Sequence, residues 1–210
     1  MKNLIFKFLF LTILTILITE ITKSVLNLDK LIYSSLSEQL TTQQIEDFLN
    51  LQNKWQWLGY FFAPVMLLIK TTLITSVIYV GTFFFSKKEA QYKILWDIVI
   101  KAEFIFLLVP FFKIIWFYFF QTNYELEDFQ YFYPLSAINI VGYQGLEAWF
   151  IYPFQVLNLF ELAYWLILAF YIGKATKTNM DNGLKIVASS YGLALFLWVA
   201  VSMFFTLNYS

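Results

Sequence analysis

The sequence predicts an all-α fold, a polytopic membrane bundle of five transmembrane helices in a single domain over residues 1–210. Hydrophobic residues make up 60% of the chain and charged residues 13%, whereas about a quarter of a soluble domain is charged. The apolar residues occur in runs of roughly twenty, the length with which an α-helix crosses a bilayer. The formal net charge is zero, so no overall field favours nucleic acid as a partner.

The apolar runs set the predicted spans. The first has a basic start and a short apolar core, which also fits a signal peptide. We favour an uncleaved helix, because no small-x-small cleavage site follows and the run extends to spanning length. Cleavage of residues 1–26 stays open as the alternative. The five predicted spans cover residues 4–26, 55–85, 98–120, 148–173 and 186–207.

Two longer polar stretches separate the spans. Residues 27–54 predict an amphipathic segment, with Thr41 or Thr42 capping a helix. We interpret it as a solvated hairpin on the membrane surface, with partner docking or substrate gating as the alternative. Residues 121–147 predict an interfacial loop with a re-entrant turn around Pro134 to Gly145.

Three prolines and one charge pair lie within or beside the spans. Pro64, Pro110 and Pro153 each predict a helix kink, because proline lacks a backbone donor. Asp97 and Lys101 are spaced to pair on one helix face.

Lysines near the helix ends predict the topology. Three fall on the side of the 27–54 segment, at Lys23, Lys30 and Lys54. The other side carries more of them: Lys2, Lys7, Lys87, Lys88, Lys93, Lys101, Lys174, Lys177 and Lys185. Lysine-rich loops stay in the cytoplasm, so the bias predicts a cytoplasmic N-terminus and, with five spans, an external C-terminus.

Three ionisable side chains, Lys70, Lys113 and Glu161, fall inside the predicted spans. At 1.5 Å per residue, Lys70 lies ~21 Å and Glu161 ~18 Å from the outer ends of their spans, so the two could pair. Lys113 could join them or extend outward. Gln155, Asn158 and Glu161 recur every three residues and predict a polar stripe facing the bundle interior.

The polar network has two interpretations. In the first, it is a satisfied structural network that fixes the helix register. In the second, Glu161 is a proton or cation site with Lys70 as its counter-charge. In the last span, Ala188 and Gly192 form a small-xxx-small pair, which favours close helix packing.

Several enzyme classes are excluded by residue type. The chain has no cysteine and no histidine, which removes thiol nucleophiles, histidine bases and the usual zinc ligands. It also lacks the HExxH, GxSxG and P-loop patterns. We therefore expect a non-enzymatic protein with no cofactor and no metal site.

The stretch LNLFELAYWLILAFYIGKATKTNMDNGLKIVASSYGLALFLWVAV, residues 157–201, resembles the bacterial branch of the Yip family. The likeness lies in the LNLFxLxYW pattern, the short lysine-containing loop and the KIV entry into the last span. Members of that family are five-span integral membrane proteins. The resemblance implies a role in trafficking or membrane organisation without catalysis, and it transfers no functional residue.

These observations favour a multi-pass protein of a bacterial inner membrane that is an accessory or scaffold subunit of a membrane, secretion or transport complex. The alternative is a transporter or permease component that uses Glu161 and Lys70 for ion or proton coupling. The expected partners are the lipid bilayer and other membrane proteins, and not nucleic acid.

Overall fold

The computed structural model describes residues 2–86 and 90–209, without the side chains of residues 2 and 209. These ranges are almost entirely helical, and extended pairing within them is limited to one isolated bridge. The all-α prediction is therefore confirmed. The helices are α1 (Lys2–Val25), α2 (Leu28–Leu36), α3 (Thr42–Phe85), α4 (Tyr92–Glu103), α5 (Leu108–Ile115), α6 (Leu126–Tyr131), α7 (Ile138–Val141), α8 (Ala148–Val156), α9 (Leu159–Ala175), α10 (Met180–Val187) and α11 (Leu193–Tyr209).

Three helical segments in the described ranges are long and apolar enough to cross a membrane: Asn3–Val25, Thr42–Phe85 and Met180–Asn208. They correspond to the first, second and fifth predicted spans. The third segment joins α10 to α11 through a π-helical turn at Ala188–Gly192. At 44 residues, α3 is ~66 Å long, about twice the thickness of the hydrocarbon core.

The region of the third predicted span is helical but irregular. It begins at Tyr92, earlier than residue 98, and runs through α4, a 3₁₀ turn at Phe104–Leu107, α5 and a π-helical turn at Trp116–Phe120. The 3₁₀ turn precedes Pro110 by a few residues. Proline cannot donate to the carbonyl four residues before it and clashes with that group, so a tighter turn at this point has a local cause.

The fourth predicted span, 148–173, is two helices rather than one. Helix α8 ends at Val156, and α9 begins at Leu159. We call the interruption at Leu157 and Asn158 the α8–α9 break. It is not at Pro153, which lies inside α8.

Helix α9 forms the centre of the core. Its side chains Tyr164, Leu168 and Ile172 are fully buried against α4 and α10. The α9–α10 contact is very close, because a Cβ atom on Gly183 would overlap the backbone oxygen of Ala169. Helix α11 packs on α8, and α1 packs on α3, α4 and α5.

The two ends of the bundle carry polar contacts that the sequence anticipates. Thr41, one of the two predicted caps, caps α3, and it forms a capping box with Gln44. Asp97 pairs with Lys101 at 2.6 Å, also as predicted, and with Lys7 of α1.

Candidate functional site

The candidate site is built around the α8–α9 break. Asn158 adopts an extended conformation and caps α9, where its Oδ1 atom accepts a hydrogen bond from the backbone N–H of Glu161 at 2.8 Å. Its side-chain amide donates to the carbonyl oxygens of Gln155 and Val156, at 2.9 and 3.0 Å. One asparagine therefore bonds the end of one helix and the beginning of the next.

The segment before α7 bonds to the broken backbone. Ala137 N–H donates to the Leu157 carbonyl at 2.8 Å, and Leu159 N–H donates to the Leu135 carbonyl at 3.1 Å. These bonds make Ser136 and Asn158 an antiparallel bridge. Leu135 has a φ of 55°, a strained conformation for a residue with a side chain. The turn directs its carbonyl at Leu159.

The break separates the three residues of the predicted polar stripe. The Gln155 side chain is on α8 and donates to the Tyr131 carbonyl at 2.9 Å. Asn158 is the cap, and Glu161 is in the first turn of α9. Because a stripe requires one regular helix, these residues do not form one. They lie around a helix start instead.

Glu161 is held by two aromatic donors. Its Oε1 atom accepts hydrogen bonds from Trp165 Nε1 at 2.9 Å and from the Tyr191 hydroxyl at 2.8 Å. Trp165 is one turn along α9, and Tyr191 lies in the π-helical turn before α11. Both bonds go to one carboxylate oxygen, so the carboxylate is fixed in orientation by neutral groups.

Lys70 pairs with Glu103 rather than with Glu161. The distance from Lys70 Nζ to Glu103 Oε2 is 2.7 Å, and Nζ lies 4.5 Å from the centre of the Phe106 ring. The depth argument placed Lys70 and Glu161 in one layer but did not consider Glu103. Because α4 begins at Tyr92, earlier than the predicted span, Glu103 lies about 11 residues, or ~17 Å, from its start, which brings it to mid-bundle.

Two buried oxygens beside this pair lack hydrogen-bond partners within the described residues. They are Glu103 Oε1 and the Tyr164 hydroxyl. The Tyr164 ring packs on those of Phe106 and Tyr191, with centroids 5.0 and 5.4 Å apart. Tyr164 thus lies between the Phe106 ring, which contacts Lys70, and the Tyr191 ring, whose hydroxyl binds Glu161. We call the following residues the polar cluster: Lys70, Glu103, Glu161, Tyr164, Trp165 and Tyr191.

Lys113 does not join the polar cluster. Its Nζ atom donates to the Phe129 carbonyl of α6 at 2.6 Å and lies 4.2 Å from the Phe129 ring centre. This is the outward direction that the sequence left open as its alternative. Lys113 ties α5 to the segment that follows it.

A second contact holds that segment in place. The Tyr143 hydroxyl donates to Asp128 Oδ1, while the Glu125 N–H donates to Oδ2 at 2.9 Å. Partial burial opposes ionisation of Asp128, but these hydrogen bonds outweigh it and lower its pKa. The bond to Asp128 raises the pKa of Tyr143 to about 12. The 121–147 segment is therefore clamped at its own ends as well as at the break.

The small residues of the last span contribute unequally. A Cβ atom on Gly192 would lie 2.6 Å from the Trp165 ring, so Gly192 makes room for the tryptophan that binds Glu161. Ala188 is exposed, because the π-helical turn shifts the helix register there. The predicted packing role therefore applies to Gly192. Gly81 of α3 also approaches the last span closely, against Ser190.

A groove of about 1170 Å³ opens beside the break. Its walls are α5 and the following π-helical turn, the 128–143 stretch, and one face of α9 with Leu195 of α11. Glu161 and Trp165 line its interior, and Asp128 and Tyr143 also contribute to its wall. The groove is mostly apolar and aromatic, so it offers one side of the polar cluster to an apolar ligand.

The chemistry that this arrangement can perform is binding and charge movement. Among the described residues, no three carboxylates converge as a metal site would require. A carboxylate with one fixed oxygen can hold a cation or a proton. The Lys70–Glu103 pair supplies a second charge pair nearby.

Comparisons with known proteins add no relative. No family model matches the chain, and neither a curated protein nor a solved structure matches it significantly.

The sequence interpretation missed four members of the polar cluster. Neither Glu103 nor the aromatic residues Tyr164, Trp165 and Tyr191 were considered as partners of the charges within the spans. A signal was present for Trp165, since it follows Glu161 by four residues and lies on the same helix face. Tyr191 and Glu103 come from other helices, so no local pattern identifies them.

Proposed function

We propose that this chain is a non-enzymatic membrane protein that serves as a subunit of a larger membrane complex. The observation that carries the proposal is Lys70. Its side chain is 48% exposed although it lies far from both ends of α3, whereas its partner Glu103 is 3% exposed. Met66 and Leu73, one turn away on either side, are 59% and 62% exposed. They form a stripe with Lys70 on the open face of α3.

A charge in such a stripe is costly if lipid covers it. Lysine at mid-membrane costs roughly 2.5–3.5 kcal/mol on insertion scales. Glu103 compensates for part of this cost, but the exposed side of the ammonium still faces hydrocarbon. A partner helix over Met66, Lys70 and Leu73 would remove that exposure and could offer a polar group to the ammonium. This reasoning supports an interface on α3.

The chain contains no cysteine, so single-cysteine cross-linking tests the interface directly. We expect Leu73→Cys to cross-link in native membranes to one companion in stoichiometric amounts. Phe196→Cys, 69% exposed on α11, is the matched control and should not react. Adding Lys70→Met to Leu73→Cys should reduce the cross-link. Equal labelling at both positions, or no companion at either, would contradict the proposal.

The proposal includes the predicted threading. Five spans, a cytoplasmic N-terminus and a bacterial inner membrane are supported by the lysine distribution and by the Yip-family resemblance. Gln39→Cys should react with a membrane-impermeant maleimide on intact cells, whereas Thr178→Cys should react only after permeabilisation. Reaction of both positions from outside would overturn this threading.

The α8–α9 break favours a second candidate, a transport component. Interrupted helices often form substrate sites in transporters, because their free backbone groups and helix starts face the ligand. In this reading Glu161 carries a proton or cation. Proteoliposomes of the wild-type protein should collapse an imposed pH gradient faster than those of Glu161→Gln, with Glu127→Gln as the charge-matched control. Equal rates for all three proteins would sink this candidate.

A further inference from the structure

The groove beside the α8–α9 break has a lining that selects a ligand by charge. Its acidic groups are Glu161 and Asp128, and no lysine lines it. Lys113 of α5, which follows the lining residue Phe112, donates to the Phe129 carbonyl and is not part of the wall. A phosphate-bearing lipid head group would therefore meet carboxylates and no counter-charge. A cationic ligand would meet a favourable field.

Glu161 is oriented for such a ligand. Its Oε1 atom accepts both hydrogen bonds, from Trp165 and Tyr191, and within the described residues Oε2 accepts none. The side chain is partly exposed, and it lines the groove. One oxygen is thus anchored while the other is available to a ligand.

Aromatic rings make up much of the wall that follows α5. Trp116 stacks on Phe132 with centroids 5.1 Å apart, and Trp116 also stacks on Phe120 at 5.4 Å. Together with Trp165 of α9, these residues line the groove with aromatic rings. Aromatic faces attract organic cations, most strongly where water is excluded.

We propose that the groove binds a lipophilic organic cation, such as a quaternary ammonium or phosphonium ion or a protonated hydrophobic amine. The volume of about 1170 Å³ slightly exceeds that of most small-molecule sites, so there is room for bulky aromatic cations. Glu161 supplies the counter-charge and the aromatic walls supply the contact area. The inference is independent of the α3 interface and holds whether or not a partner covers that face.

Two ions of nearly equal size and opposite charge test this inference. The probes are tetraphenylphosphonium and tetraphenylborate, measured by equilibrium dialysis against the purified full-length protein in lipid nanodiscs. We expect saturable phosphonium binding that Glu161→Gln weakens at least about tenfold, the loss of one desolvated charge contact. Glu46→Gln, which removes an exposed charge of α3 far along the chain, should leave binding unchanged.

A second variant covers the case in which Glu161→Gln disturbs folding. Trp116→Leu keeps both carboxylates and removes an aromatic face, and it should also weaken phosphonium binding. Equal binding of the two ions would indicate partition into apolar surface and would overturn the inference. So would an absence of saturable phosphonium binding, or an unchanged affinity in a correctly folded Glu161→Gln protein. Failure of the Leu73→Cys cross-link would leave these results unaffected.

Discussion

Helix α3 is continuous, whereas the α8–α9 pair is interrupted, although the two regions share the same features. Each contains a proline, Pro64 in α3 and Pro153 in α8, and each is strongly apolar. Helix α3 is 44 residues long and continues without interruption through its proline. The α8–α9 pair breaks, and it does so four residues beyond Pro153, where the helix has no proline of its own.

The difference lies in what surrounds the backbone. At the break, the Ala137 N–H and the Leu135 carbonyl bond to the freed groups of Leu157 and Leu159, and Asn158 caps the new helix. Away from water, a backbone group without a partner costs several kcal/mol, so a helix opens only where replacements exist. Helix α3 is largely exposed around Pro64, and among the described residues no other segment forms backbone hydrogen bonds with it there. Proline alone does not decide where a helix ends.

The largest difference in stability between the two regions is expected when one methyl group is added to each of them. Gly183→Ala would push a Cβ into the backbone oxygen of Ala169, which cannot rotate away, so we expect a loss of about 3 kcal/mol or more. Gly59→Ala in α3 meets nothing within 4 Å and should stabilise by up to about 1 kcal/mol. Thermal unfolding in detergent, followed by gel filtration, measures both. Equal effects would mean that α9 is not packed as closely as described.

Removing one backbone donor tests the bridge itself. Ala137 has a φ of −62°, which proline adopts without strain, so Ala137→Pro mainly deletes the N–H that bonds to Leu157. We expect a loss of about 1–3 kcal/mol, because the Leu157 carbonyl is left without a partner beside the mostly apolar groove. Glu147→Pro is the control, at a φ of −59°. A variant of Ala137 as stable as that control would show that the bridge contributes little.

The two helix caps give a smaller comparison. Asn158→Ala removes the cap of α9 and its bonds to α8, and we expect a loss of about 1–2 kcal/mol. Thr41→Ala removes the exposed cap of α3, where water can replace it, and should cost about 0.5–1 kcal/mol. The same thermal assay ranks them. A larger loss of stability for Thr41→Ala than for Asn158→Ala would show that α9 does not depend on its cap more than α3 does.

The smallest expected effect is a pH dependence at the clamp of the 121–147 segment. The pKa of Asp128 is lowered in the folded protein, so its contribution to stability is present above its unfolded pKa and is lost as the pH falls through the folded value. Tyr143→Phe should lower the unfolding temperature at neutral pH, and the deficit should shrink in acid. Unfolding temperatures between pH 3 and 7 measure this. A deficit that is constant with pH would exclude the Asp128 linkage.

The sequence predicted what is local. The Thr41 cap and the Asp97–Lys101 pair are set by spacings of three and four residues, and both are present. The long apolar runs likewise indicated the helices. The choice of Glu103 as the partner of Lys70 depends on how helices are rotated about their axes, which depth along a helix does not determine.

The α8–α9 break could not be predicted from local sequence spacing either. From the sequence, Asn158 was interpreted as one member of a polar stripe. A stripe and a helix cap both place polar residues three positions apart, so the sequence does not distinguish them. What distinguishes them is the neighbouring segment at Leu135 and Ala137, more than 20 positions earlier in the chain. Gly192 was recognised as a packing residue, but its contact, the Trp165 ring, was not.

The site around Glu161 depends most on the pairing of the 121–147 segment with the α8–α9 break, and one engineered disulfide tests this pairing. Ser136 and Asn158 form a bridge of the non-hydrogen-bonded kind, whose Cα atoms lie roughly 4.5 Å apart, within the range of a disulfide. In this cysteine-free chain, Ser136→Cys with Asn158→Cys should oxidise efficiently in membranes, giving a reducible change in gel mobility. The single variants Ser136→Cys and Asn158→Cys are the controls and should show no such change. If the double variant folds, as judged by gel filtration, and does not oxidise, the segment does not bond to the break, and the site described around Glu161 is incorrect.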